Sequence, residues 1–261
     1  MSLFDATATL TALAGLRISL AVGRESDPMT EEVSSAFSNA LTALSSLTSL
    51  EVLASIASAA VPAVSSAVPH LSHLENLAIV DGQLSSEHIT TLCQQLRRLP
   101  DLRRLNLSDS HLVLRTPKAA ASLAASFSAL KNLQDLNITG FRSFGKSKKA
   151  VSALSALTCL TRLDVESIGL VPGTVPALAE AMRCMPGLQH VAMSYNQLGK
   201  VLNSIPRASN VPDSVKPLCK ALLGLKELAT VDLNCTHLGC ASCAVARSNT
   251  SVQYRFTFPV V

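Results

Sequence analysis

The chain has no tryptophan, two tyrosines and seven phenylalanines, so aromatics make up 3% of its 261 residues. Binding energy at interfaces concentrates in Trp, Tyr and Arg. The scarcity therefore excludes a broad aromatic recognition surface and argues against a very tight inhibitor; the arginines and Tyr195 are left as possible anchors. Charge is sparse too: 15% of residues, with 22 Lys and Arg against 18 Asp and Glu, for a net +4. So mild a surplus, spread along the chain, does not by itself indicate nucleic acid. No apolar run reaches the ~18 uncharged residues of a membrane-spanning helix. Met1 to Val22 lacks a basic start, is broken by Arg17 and runs into a repeating pattern at Leu13, which is not the layout of a signal peptide. These absences predict a soluble cytoplasmic protein without membrane contact, and leave cytoskeletal association open.

The seven cysteines, Cys93, Cys159, Cys184, Cys219, Cys235, Cys240 and Cys243, are an odd set within apolar stretches. That usage predicts buried free thiols in a reducing compartment. Glycosylation sequons at Asn106, Asn137, Asn234 and Asn249 agree, because the first three fall on or beside predicted strands, where a sugar would sit on the sheet.

What is present is leucine in a recurring frame. The clearest copy reads Leu102-x-x-Leu105-x-Leu107-x-x-Ser110-x-Leu112. The frame returns at Leu74/Leu77/Ile79/Leu84, Leu160/Leu163/Val165/Leu170, Leu188/Val191/Met193/Asn196/Leu198 and Leu228/Val231/Leu233/Leu238, with weaker copies from Leu13, Leu50 and Leu133. Successive first leucines are 37, 24, 28, 31, 27, 28 and 40 residues apart, a solenoid period. Each copy predicts a short strand, a polar turn and an amphipathic helix. Ser85 and Ser86 are capping types, Glu87 lies in the first turn, and Ile89, Leu92, Cys93, Leu96 and Leu99 recur at helical spacing before Arg97 and Arg98 close the helix. Asp27-Pro28, Thr174 and Ser214 open further helices, each with proline in its first turn.

Strand and helix alternating at this period force parallel strands, which line a concave wall roughly 40 Å along its arc while the helices line the convex side. The wide last interval predicts a loop insertion at about 199–213, and Val252 to Val261 reads as a capping strand over the open end.

On these residues the chain resembles the leucine-rich repeat proteins, and in repeat length and helix content the ribonuclease-inhibitor type. The resemblance spans about residues 10–258 and implies residues 1–261 as a single α/β solenoid domain of about eight repeats. The family's turn asparagine, at the ninth place of the frame, is present as Asn196; elsewhere the place holds Ala21, Ser58, Gly82, Ser110, Phe141, Ile168 and Thr236.

Three constellations bear on chemistry. Gly140-Phe141-Arg142-Ser143-Phe144-Gly145-Lys146-Ser147 spells G-x-x-x-x-G-K-S between a predicted strand and helix. A nucleotide-binding loop would use Gly140 and Gly145 for close approach, Lys146 for the terminal phosphates and Ser147 for magnesium. The two bulky phenylalanines suit inward turn positions better, and no magnesium carboxylate follows. Arg142, Lys146, Lys148 and Lys149 also form a dense basic loop, which is either plain solvated surface or a contact for an acidic partner, a phosphorylated peptide or RNA. Cys235, His237, Cys240 and Cys243 offer zinc-ligand types. Their crowding and their place in the frame favour structural thiols, so no metal is expected. His70, His73, His88, His111 and His190 lack a partner at a spacing that suggests a triad.

Side chains alternating with the inward leucines list the concave wall: Arg17 and Ser19, Val52 and Ala54, Asn76 and Ala78, then Arg104, Asn106, Asp135, Asn137, Arg162, Asp164, Glu166, His190, Thr230 and Asp232. Its polar middle, with Tyr195 at the rim, is the expected partner-binding surface. Reversing Arg162 to Glu is expected to weaken binding and leave the solenoid folded. The sequence thus points to a non-enzymatic protein-interaction scaffold without cofactor, docking into a larger intracellular assembly. The alternatives are a nucleotide-dependent switch through Gly140–Ser147, and a modulator of a small GTPase acting through Arg142, as some proteins with similar repeats are.

Overall fold

Leucines two apart put one row of side chains on one face of a strand, and stacking such strands side by side merges the rows into a single apolar wall. In the computed structural model, which describes residues 12–19, 31–53, 57–80, 85–108, 117–198, 213–234, 236 and 252–255, nine strands do this in one parallel sheet, in chain order. They are β1 (Gly15–Ser19), β2 (Ser49–Leu53), β3 (Asn76–Val80), β4 (Arg104–Asn106), β5 (Asp135–Asn137), β6 (Arg162–Asp164), β7 (His190–Ala192), β8 (Thr230–Asp232) and β9 (Gln253–Arg255). Between them run α1 (Glu31–Ala43), α2 (Ala57–Ala67), α3 (Ser86–Leu96), α4 (Pro117–Ser126), α5 (Lys148–Ala153), α6 (Val175–Arg183) and α7 (Lys216–Gly224). The architecture is a leucine-rich repeat solenoid of the α/β class.

Leu16, Leu50, Leu77, Leu105, Leu136, Leu163, Val191 and Val231 stand in one register row. Except for the half-buried Leu16 they are buried, in one continuous core with the inward residues of the helices. Outside the strands, a second ladder ties consecutive repeats: Arg103 N donates to Glu75 O (2.8 Å), Gln134 N to Arg103 O (2.7 Å), Thr161 N to Gln134 O (2.8 Å) and Gln189 N to Thr161 O (2.7 Å). Ser85 caps α3 as expected, its Oγ accepting from His88 N at 3.1 Å. His88 completes a reciprocal box by accepting from Ser85 N at 3.3 Å, the part a glutamate usually plays.

Two expected boundaries move. Leu50 pairs with Leu77 and Val52 with Ile79, so the second repeat begins at the fully buried Leu47, and the first two intervals become 34 and 27 residues. Leu47, Leu50 and Leu53 are spaced by three, so the Leu-x-x-Leu element fits twice. The slip is odd in length and exchanges the two faces. Val52 is therefore core, and Ser49 and Glu51 occupy the open face. At the far end the expected capping strand is β9, which closes the open edge by continuing the parallel ladder, with Tyr254 beside Val231, 23 residues on. The expected insertion over 199–212 and the Cys235/His237/Cys240/Cys243 cluster lie outside the described residues, as do Asp27-Pro28, Ala54 and His111.

Candidate functional site

The helices cover the leucine face of the sheet and leave the other open. Across that concave face run two polar rows. Arg104, Asp135, Arg162, His190 and Thr230 are register neighbours in one; Asn106, Asn137, Asp164, Ala192 and Asp232 form the other. Together with Ser49, Glu51 and Asn76 the first part of these rows lines a depression of about 340 Å³, and a smaller one of about 200 Å³ continues past Arg162 to His190, Thr230 and Asp232. The sequence places most of these residues correctly, and the face missed Ser49 and Glu51 because of the three-residue slip. Glu51 is not spare charge: it pairs with Arg17 at 3.3 Å, with both side chains well exposed.

The alternating signs in the first row do not pair across the strands as their order suggests. Arg162 turns along its own strand instead, its Nε and Nη2 both 3.0 Å from Asp164 Oδ2. Asp164 is 8% exposed, and its other carboxylate oxygen is buried without a hydrogen-bond partner. Reversing Arg162 would strand that carboxylate and place a further negative charge beside it, so the variant would lose stability as well as any partner. Arg104 is exposed and, among the described residues, in no ion pair, which makes it the cleaner probe of the face. Burial holds the Asp135 carboxyl above its ordinary range; Arg162, Arg104 and His190 oppose this and Asp164 adds to it. Burial also pushes Glu166 up, against a hydrogen bond from Ser194, with Asp232 and Asp164 adding repulsion and Arg162 opposing. Burial thus makes it costlier for either carboxyl to carry its charge on this half of the face.

Asn106 and Asn137 serve the fold first. Each Oδ1 accepts from the backbone N–H two residues on, Ser108 at 2.9 Å and Thr139 at 3.0 Å, which bends the chain out of the strand. Asp232 does the same for Asn234 at 3.1 Å while accepting from Ser194 Oγ at 2.6 Å. His190, solitary in sequence, is 2.7 Å from Thr230 Oγ1 through Nδ1. Asn196, 2% exposed, links two repeats: its Nδ2 donates to Val165 O (2.8 Å) and Met193 O (2.9 Å), and its Oδ1 accepts from Leu170 N (3.0 Å). At the same place in neighbouring repeats stand the buried Phe141 and Ile168, which pack instead, and Thr236, whose Oγ1 donates once, to Leu233 O at 2.8 Å.

The Gly140–Ser147 segment is a packed turn. Phe141 and Phe144 are buried, the latter tilted against Phe127 at 6.0 Å between centroids. The backbone amides that would cradle phosphate are directed elsewhere: Gly140 N donates to Glu166 O (3.0 Å), Phe141 N to Ile138 O (3.2 Å), Arg142 N to Gly140 O (2.8 Å) and Gly145 N to Ile168 O (2.9 Å). A Cβ on Gly145 would collide with the backbone of Leu170, so that glycine serves repeat-to-repeat packing. Ser147 caps α5 by accepting from Ala150 N at 3.2 Å. Arg142, Lys146, Lys148 and Lys149 remain exposed on the surface of this turn.

One juxtaposition has no counterpart in the sequence. The eighth place of the frame has left-handed backbone in three successive repeats: Gly140 (φ 90°), Ser167 (φ 52°) and Tyr195 (φ 58°), each donating its N–H to the next repeat. Glycine adopts this freely, whereas a residue with a Cβ bears about 1–2 kcal/mol. Tyr195 is nonetheless there and 64% exposed, and it borders a rim groove of about 400 Å³ together with Arg142 and Lys146.

Among the described residues no helix is long and apolar enough to cross a membrane, and no group of three or more His, Cys, Asp or Glu converges as a metal site. Among the described residues Cys93 and Cys219 are buried and Cys159 and Cys184 exposed, all free, so the expectation of buried thiols fails for the latter pair. No family model and no curated protein matches the chain. Among solved structures, the crystal structure of the TLR13–ssRNA13 complex matches at 15% identity and a TM-score of 0.38. The match covers 97% of this chain, which spans 37% of that one. A likeness of that strength leaves the architecture resting on the strand pairing itself.

Proposed function

We propose that the chain is a non-enzymatic interaction module of the ribonuclease-inhibitor-like repeat type, holding a protein partner on its concave face within a larger intracellular assembly. The observation that carries this reading is the open polar face, where Arg104, Asp135, Arg162 and Asp164 line one depression that spans several repeats. A surface assembled from so many strands matches an extended protein contact better than a small metabolite. Charges at the centre of such a contact, once desolvated, decide which partner is accepted. The intracellular setting is supported by free thiols and by the sequons at Asn106 and Asn137, whose side-chain oxygens are engaged in strand-end turns. Purification of the tagged chain from its native cell in low salt, followed by sizing, tests the reading. Recovery in a defined complex with a protein partner supports it; a chain recovered alone and monomeric contradicts it. The nucleotide-switch alternative predicts that Lys146→Ala abolishes nucleotide binding; with the loop amides already bonded, calorimetric titration with ATP and magnesium is expected to show none to abolish.

A further inference from the structure

Independently of the concave face, we propose that the rim groove beside Tyr195 binds a phosphorylated tyrosine side chain of a partner protein, its phosphate between Arg142 and Lys146 and its ring against Tyr195. Three observations meet there. First, the groove is lined by three consecutive repeats, Arg142 and Lys146 from one, Leu170 and Val171 from the next, Tyr195 and Gln197 from the third. It pairs cationic donors with apolar and aromatic surface, which is the complement of an aryl phosphate. Second, Tyr195 stands at a left-handed turn position shared with Gly140 and Ser167, where its N–H bonds the next repeat, so the turn holds its 64% exposed ring out at the edge of the groove. Third, among the described residues no ion pair engages Arg142, Lys146, Lys148 or Lys149.

The backbone that carries the two cations is also held in place. Gly169 lets its repeat close onto the Arg142 backbone, where a Cβ would collide with Arg142 O, and Thr174 Oγ1 donates to Gly145 O at 2.6 Å. Fixing the loop in this way reduces the ordering cost of binding. A phosphate monoester carries close to two negative charges at neutral pH and several acceptor oxygens, so it answers two unpaired cations better than a carboxylate does. A single-stranded nucleic acid would need a row of stacking platforms and a larger positive surplus. Here Tyr195 is the exposed aromatic among the described residues, and the whole chain is only +4.

The test titrates the whole chain with phenyl phosphate, inorganic phosphate, an oligouridylate, and one peptide carrying phosphotyrosine or phosphoserine, taking affinities by calorimetry for every variant and following the Tyr195 ring resonances by NMR where the ring is present. Phenyl phosphate is expected to shift those resonances and to bind about tenfold more tightly than inorganic phosphate, the margin an aromatic contact supplies. The phosphotyrosine peptide is expected to exceed the phosphoserine one. Replacing Arg142 and Lys146 together with Ala weakens both small ligands at least about fivefold. Tyr195→Gly removes the margin between them while the melting temperature holds or rises, because glycine suits the turn. Equal affinity for the two small ligands, undiminished phenyl phosphate binding by Tyr195→Gly, tighter binding of the oligouridylate, or no binding at all would overturn the proposal.

Discussion

Replacing Asn196 with alanine removes a buried side chain that hydrogen-bonds two repeats together through the turn. The loss leaves the carbonyls of Val165 and Met193 and the N–H of Leu170 without that partner, in a region where Val165, Leu170 and Met193 are themselves fully buried. Each buried group left unsatisfied costs about 1–3 kcal/mol. Three of them, partly relieved by local relaxation, amount to about 3–5 kcal/mol, a large share of the ~5–15 kcal/mol that holds an ordinary domain. At this chain length that is a fall in melting temperature of about 6 °C or more. Because stacked repeats can loosen locally, hydrogen exchange at the Leu170 amide is the sharper assay and should accelerate at least about a hundredfold. Thr236→Val is the control: Thr236 occupies the same place one repeat on and makes one bond, Oγ1 to Leu233 O at 2.8 Å, so about 1 kcal/mol is at stake. An Asn196→Ala protein that melts within about 2 °C of the parent, or a Thr236→Val protein that loses as much, refutes the reasoning.

Other outcomes follow from the same structure. Burial pushes the Cys93 thiol up to about 12, against a Ser126 hydrogen bond and Arg97, so iodoacetamide at pH 8 should modify Cys159 and Cys184 in the folded protein and reach Cys93 only on unfolding. Peptide mapping that finds Cys93 modified as fast as the other two contradicts its placement. The Asp135 and Glu166 carboxyls, ordinarily at 3.8 and 4.5, are both raised by burial, so the folded state binds protons more tightly than the unfolded one. Their contribution to stability is then present at low pH and fades as pH climbs from those ordinary values through the raised ones. Asp135→Asn and Glu166→Gln should each flatten that decline in a melting series, and a parent whose dependence runs the other way through these groups would show the burial to be misjudged. Phe144→Ala should cost about 3–5 kcal/mol, since the ring is buried against Phe127, whereas a phosphate loop would tolerate a small residue there. A loss under 1 kcal/mol in denaturant titration would return the segment to candidacy as a loop.

The solenoid was legible because its inward leucines recur with a period that only stacking satisfies, and the face opposite them follows by alternation. Register was legible only where the pattern had one solution. At Leu47, Leu50 and Leu53 it had two, and choosing the later one exchanged Val52 for Ser49 and Glu51 on the open face. Counting back from the regular repeat at Leu74 would have found Leu47. Arg104, Asp135 and Arg162 could be placed side by side from sequence, yet the choice of Asp164 as Arg162's partner depends on how far a guanidinium can turn along its own strand. Tyr195 and Arg142 are 53 residues apart. Their meeting at one groove depends on the turns of three consecutive repeats, and no local pattern carries it. The G-x-x-x-x-G-K-S spelling misleads for the opposite reason: local spelling cannot say that Gly145 is small so that the Leu170 backbone can approach.

The most direct measurement compares three baits in one quantitative binding assay with the partner that the parent chain recovers: the parent, Arg104→Glu, and a chain with Arg142, Lys146, Lys148 and Lys149 changed to Ser. Arg104 is exposed and free of ion pairs among the described residues, so its reversal tests the concave face without disturbing the core. A reversed charge at a desolvated centre costs several kcal/mol, so Arg104→Glu should weaken binding at least about a hundredfold, with only a small fall in melting temperature from its repulsion with the neighbouring Asp135, and with the serine variant still bound. Parental affinity in Arg104→Glu would contradict the account and show that the concave face is not where this protein holds its partner.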